Sequence, residues 1–106
     1  MSITENLEKL LVSGRDDAML RFGLGSAYFN DKNFTDAVPH LRACLGHDKN
    51  YSAAYKLLGK ALIKIGDKAQ AKAVFKTGLP IAVEKGDKQT EREILAFLKK
   101  LGKQEH

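Results

Sequence analysis

His40, Cys44 and His47 stand four and three residues apart, so on one helix they share a face and offer soft donors to a metal ion. A closed site needs a fourth ligand, and no residue supplies it. Cys44 falls where a small apolar residue packs, and His47 follows Gly46 in a break. The trio therefore reads as a buried structural cysteine with two surface histidines, and no metal is expected. Gly23-Leu24-Gly25 lies inside a helical pattern and follows no strand, which excludes a phosphate-binding loop. No Ser/His/Asp or Cys/His set can be assembled, and the glutamates are spread along helix surfaces. Catalytic residues, cofactors and enzyme activity are accordingly not expected. Two groups remain. Phe22 and Phe29 lie off the Leu24/Tyr28 packing stripe and have no evident internal partner. Lys56, Lys60 and Lys64, at successive i, i+4 spacing, form one positive ridge. Apolar contacts beside a cationic ridge suit an acidic peptide carrying hydrophobic anchors. The alternative is that the two rings pack against the first helix and the lysines are solvated.

The chain that must position these residues has 106 of them, enough for one domain with a working core. It is 43% hydrophobic and 29% charged, with two prolines and no polar low-complexity tract, which argues against extensive disorder. The first residues include acids, and their apolar run is too short for a signal peptide or membrane span. One cysteine excludes an intramolecular disulfide framework and fits a reducing compartment, so a cytoplasmic location is expected. The formal charge of +5 is uneven: residues 1–53 carry 6 Lys+Arg against 7 Asp+Glu, residues 54–106 carry 12 against 6. Such asymmetry suggests that the second half meets something acidic.

Apolar residues recur at helical spacing throughout, and no convincing stretch alternates with period two, so the fold class is all-α without a sheet. Ser2 with Glu5 can cap a first helix carrying Leu7, Leu10 and Leu11. Asp16 or Asp17 opens a second that runs to about Asn30. Asn33 caps a third bearing Ala37, Leu41, Cys44 and Leu45, where Pro39 implies a bend or a start nearer Thr35. Gly46 to Asn50 reads as a break. A fourth helix from about Tyr51 turns the inner stripe Ala54, Tyr55, Leu58, Gly59, Leu62 and Ile65 to the core. Gly66-Asp67 leads into a fifth, expected to continue past Pro80 to Lys85 and stop at Gly86. The last, capped by Asp87, is expected to bury Ile94, Leu95, Phe97, Leu98 and Leu101 before Gly102 and a charged tail.

Leu24-Gly25-x-x-Tyr28 returns 34 residues later as Leu58-Gly59-x-x-Leu62, and Ala37 with Leu41 returns as Ala71 with Phe75. With its helix-turn-helix layout, this period resembles the tetratricopeptide repeat (TPR) family. The resemblance covers Ala18 to Tyr51 and Ser52 to Lys85. Arg21 departs from it, standing where a large apolar residue is usual, as does Gly78 at the late alanine. It implies a single α-α solenoid over residues 1–106: an N-terminal helix (1–14), two repeats (18–51 and 52–85) and a capping helix (87–101). It also implies a concave face lined by the first helix of each repeat, receiving a segment of another protein. The matching positions are Met19, Phe22, Ser26, Phe29 and Asn30 in the first copy, and Ala53, Lys56, Lys60, Ile63 and Lys64 in the second. The family's carboxylate clamp wants Lys and Asn where Phe22 and Ser26 stand, so that specificity is not carried over. The function expected is a protein–protein interaction adaptor without membrane contact, monomeric or weakly dimeric. Alternatives are RNA or another polyanion held by the lysines at 56, 60, 64, 68, 72 and 76, or a structural homodimer through Phe22/Phe29 or the last helix.

Overall fold

The computed structural model describes residues 2–104. Six helices follow in order: α1 (Ile3–Val12), α2 (Ala18–Asn30), α3 (Phe34–His47), α4 (Ser52–Lys64), α5 (Lys68–Lys85) and α6 (Lys88–Gln104), with no strand among the described residues. The start of every helix but α4 is set by a short polar side chain that accepts a hydrogen bond from a free N–H of the first turn. Ser2 accepts from the Glu5 amide at 3.1 Å and Asp17 from Leu20 at 2.7 Å. Asn33 accepts from Asp36 at 3.3 Å, Asp67 from Gln70 at 3.1 Å and Asp87 from Thr90 at 3.2 Å. Only α4 has no side-chain cap of this kind among α1 to α5.

α2 pairs with α3 and α4 with α5 as two hairpins; α4 packs on α3, α6 on α5. α2, α4 and α6 also touch in sequence, forming one layer with α3 and α5 behind it. Leu24 and Leu58, 34 residues apart, are both fully buried. The repeat extends to the contact between each hairpin's helices. A Cβ on Gly25 would lie 2.5 Å from Leu41, and one on Gly59 would lie 2.2 Å from the Phe75 ring. Glycine at these two places is what lets the helices approach. Phe75 in turn stacks on Phe97 of α6, with centroids 5.3 Å apart and planes 7° from parallel. The Ser52 hydroxyl donates to the Asp87 carboxylate at 2.7 Å, tying the start of α4 to that of α6.

α5 crosses Pro80 unbroken and ends at Gly86, whose φ of 71° supplies the left-handed turn. α3 likewise runs through Pro39 from Phe34. Four expectations need correction. Ile65, expected on the inner stripe of the fourth helix, follows the last residue of α4 as its C-cap and is 44% exposed. Gly46 and His47 belong to the last turn of α3 rather than to a break. α6 continues past Gly102 to Gln104. Leu95 is exposed, because α6 turns Ile94, Phe97, Leu98 and Leu101 toward the core and Leu95 falls on the outer side of that arc. α1 covers α2 incompletely: none of its residues is buried, and Ile3 keeps 69% of its surface in solvent.

Candidate functional site

Leu7 of α1 packs over Gly23 of α2, where an added Cβ would meet it at 3.6 Å. Beside this contact, α1 and α2 enclose an apolar groove of about 450 Å³. Met19, Phe22, Ser26 and Asn30 line it together with Ile3, Leu7, Leu20 and Ala27, and Arg15 sits at its rim. Four of the five first-copy positions therefore share one groove. Phe22 is anchored from below by Tyr51, with ring centroids 4.8 Å apart.

Phe29 is the fifth. It meets Phe34 edge to face, centroids 5.0 Å apart, so its partner is the start of α3 and not the first helix. The Lys60 ammonium lies 5.3 Å from the Phe29 centroid and that of Lys64 lies 5.9 Å from the Phe34 centroid. Both lysines are thus steered onto aromatic faces across the α2–α4 junction, each worth about 0.5–1 kcal/mol at an exposed site. Lys56 is placed differently. Its ammonium pairs with Glu93 of α6 at 2.9 Å and is largely covered, so the positive ridge divides into one neutralised and two available charges. Ala53 is half-buried in the first turn of α4. Ile63 lines a second pocket, with Lys68, Phe97, Lys100 and Leu101.

A second constellation, on α1, α2 and α3, escaped the reading of the sequence. Arg21 grips Asp16 through two hydrogen bonds of 2.7 and 2.9 Å and donates to Nδ1 of His40 at 3.1 Å. Since a guanidinium only donates, Nδ1 must accept, and the proton of His40 sits on Nε2, 3.5 Å from the Glu8 carboxylate. Glu8 also accepts from the Tyr28 hydroxyl at 2.7 Å, and the Tyr28 and His40 rings stack at 5.4 Å. His47 reaches Asp16 at 2.9 Å. The hydrogen bonds from Arg21 and His47 hold Asp16 well below the usual carboxylate range. The bond to Glu8 pushes Tyr28 up to about 12, and burial lowers His40. His40 is thus half-buried rather than on the surface. Burial also pushes the Cys44 thiol up to about 11. His40, Cys44 and His47 therefore face different surroundings, and no group of three His, Cys, Asp or Glu residues among those described is disposed to hold a metal. The departure of Arg21 from an apolar position was the signal for this network.

Among known proteins, the family model described as tetratricopeptide repeat matches residues 28–87. The chain belongs to the tetratricopeptide repeat family. TPR repeat-containing protein PA0015 of Pseudomonas aeruginosa is 47% identical over 97 residues, covering 92% of each chain. The solution structure of protein BPP2914 from Bordetella parapertussis is 43% identical with a TM-score of 0.84, covering 98% of this chain and 90% of that one. The TPR2B domain of yeast Sti1, in complex with pHsp70, shares the fold at a TM-score of 0.85 and 19% identity, over 95% of this chain and 81% of that one. The family consists of protein–protein interaction modules that are typically non-enzymatic, and this TPR chain is such a module. No helix among the described residues is long and apolar enough to cross a membrane.

Proposed function

We propose that this TPR chain holds a segment of another protein, acidic with apolar anchors, on the face made by Met19, Phe22, Ser26, Phe29, Asn30, Ala53, Lys56, Lys60, Ile63 and Lys64. One observation carries the reading: the open apolar groove lined by Met19, Phe22, Ser26 and Asn30 adjoins rings that already carry the ammonium groups of Lys60 and Lys64. An apolar side chain of the partner enters the groove and loses its contact with water, the main source of affinity in such contacts. Neighbouring carboxylates meet the ammonium groups of Lys60 and Lys64. Lys56, neutralised by Glu93, shapes the surface without serving as a docking charge. The Sti1 domain with its bound pHsp70 is a case of this fold seated on another protein. The buried, protonated Cys44 suits a reducing cytoplasm as the place of action.

The test is affinity purification from native lysate with the wild type and two charge-matched variants. Lys60→Glu/Lys64→Glu is expected to lose the captured protein, while Lys76→Glu/Lys85→Glu on α5 retains it, both with unchanged helical circular dichroism. Lys56 is left alone because Lys56→Glu would face Glu93 and disturb the fold. Capture that survives Lys60→Glu/Lys64→Glu undiminished rejects the reading.

A further inference from the structure

Where the last turns of α4 and α6 meet the first turn of α5, a pocket of about 250 Å³ opens. Its floor is apolar: Ile63 from α4, and Phe97 and Leu101 from α6. The Phe97 ring is fixed by its stack on the buried Phe75, and Leu101 is almost wholly covered, so the floor is rigid. Its rim is cationic. Lys68 and Lys100, from different helices, are exposed, and neither forms an ion pair within the described residues. No carboxylate lines the pocket; the nearest in sequence, Asp67, is turned onto the Gln70 amide as the cap of α5.

We propose that this pocket takes a second apolar side chain of the acidic partner segment, with an adjacent carboxylate held between Lys68 and Lys100. This rests on the reading of the chain as a binder of acidic segments and extends it from α4 to α6. Two ammonium groups flanking an apolar hole repel each other until an anion bridges them, and a carboxylate next to the anchor supplies that bridge. A polypeptide is favoured over a free acyl chain because it brings a carboxylate and an apolar side chain together beside the Lys60 and Lys64 charges on the same face. The pocket is also continuous with the proposed face: Ile63 sits on α4 beside Lys64 and one turn beyond Lys60. A segment crossing the Lys60 and Lys64 charges thus reaches Ile63 without changing helices.

The experiment is an NMR titration of the whole chain with Ac-Glu-Glu-Leu-Glu-Glu-amide, its counterpart with Ala for Leu, and hexanoate. Shifts of the Ile63 and Leu101 methyl signals with the Leu peptide, at least about fivefold weaker binding of the Ala peptide, and about a tenfold loss in Lys68→Glu/Lys100→Glu support the pocket. Should that variant fail to fold, Lys68→Gln/Lys100→Gln is read instead, with a loss of about threefold. Shifts confined to the α1–α2 groove and Phe29 overturn the pocket and leave the proposed function standing. Shifts confined to the pocket support it and remove the groove. Silence at both places overturns both. Hexanoate binding as tightly as the Leu peptide assigns the pocket to a free amphiphile and overturns the peptide occupant.

Discussion

Replacing Gly59 by Ala sets two effects of opposite sign against each other. Alanine is worth about 1 kcal/mol over glycine in a helix interior, and Gly59 lies mid-helix in α4. The new methyl, however, would stand 2.2 Å from Cε1 and 2.4 Å from Cζ of Phe75. Carbon atoms settle at about 3.5–4.0 Å, so the ring must retreat by more than an ångström. It has nowhere to go: Phe75 is fully buried, and Phe97 stacks on it. Overpacking of a tight core costs about 1–3 kcal/mol, and a contact this short against a trapped ring belongs at the upper end. The net expectation is a loss of about 2 kcal/mol, the difference between these two effects. Urea unfolding followed by circular dichroism should show the midpoint falling by about 1 M with an unchanged slope. The same change on a Phe75→Leu background separates the causes. A smaller, rotatable side chain yields to the methyl, so Gly59→Ala should cost at least about 1 kcal/mol less there. A raised midpoint for Gly59→Ala, or an equal cost in both backgrounds, would refute the steric account.

Lys32 holds a φ of 62° in the turn between α2 and α3, where the equivalent turn between α4 and α5 uses Gly66 at 89°. Lys32→Gly should raise stability by about 0.5–1 kcal/mol in the same urea assay, since a left-handed residue with a Cβ is strained by about 1–2 kcal/mol and glycine returns part of that gain as unfolded-chain entropy. For His40, burial lowers the folded-state value below the ordinary 6.5, Arg21 adds to this, and Glu8, Asp36 and Asp16 pull the other way. The unfolded chain therefore binds more protons. Stability should be full above 6.5 and fall as pH drops through that value toward the lower folded one. His40→Gln should flatten the unfolding midpoint between neutrality and the range where Asp16 begins to titrate; an identical slope in both proteins would exclude His40 as the source.

What the sequence made legible was whatever follows from neighbours within a turn or from the 34-residue period. Ser2, Asn33 and Asp87 announce helix starts because each cap acts over three residues, and Leu24 and Leu58 announce the core because each recurs on a face. Helix ends were less legible. Gly46 has open space around it and sits comfortably in a helix, so glycine there marks no stop. Leu95 depends on the rotation of α6, which the Phe75–Phe97 stack sets from another helix. Within the candidate site, Phe22 and Phe29 were visible as rings off the packing stripe, yet Tyr51 and Phe34 as their partners were not. Lys56 looked equivalent to Lys60 and Lys64 until α6 brought Glu93 to it. Arg21 holds Asp16, five residues away, and His40, nineteen away, a union only the hairpin creates.

The charge asymmetry of the chain acquires a physical meaning from these pairings. Acids of the first half are engaged within the fold: Asp16 and Asp17 by arginines, Glu8 by Tyr28 and His40, Asp36 by Asn33. Of the second-half lysines, Lys56 is engaged by Glu93, whereas Lys64, Lys68 and Lys100 are exposed around Ile63. Screening confines each charge's reach to about 8 Å at physiological salt, whereas the molecule is 46 Å long. The unpaired positive charge is therefore concentrated toward the α4–α6 end, whereas the cation that lines the α1–α2 groove, Arg15, is paired with Asp17. On the proposed reading, a partner segment has one productive direction, its acids toward α6 and its leading anchor toward α1. Reversing it would set carboxylates beside Met19 and Ile3, where the lining cation, Arg15, is already engaged by Asp17, and that cost selects the orientation.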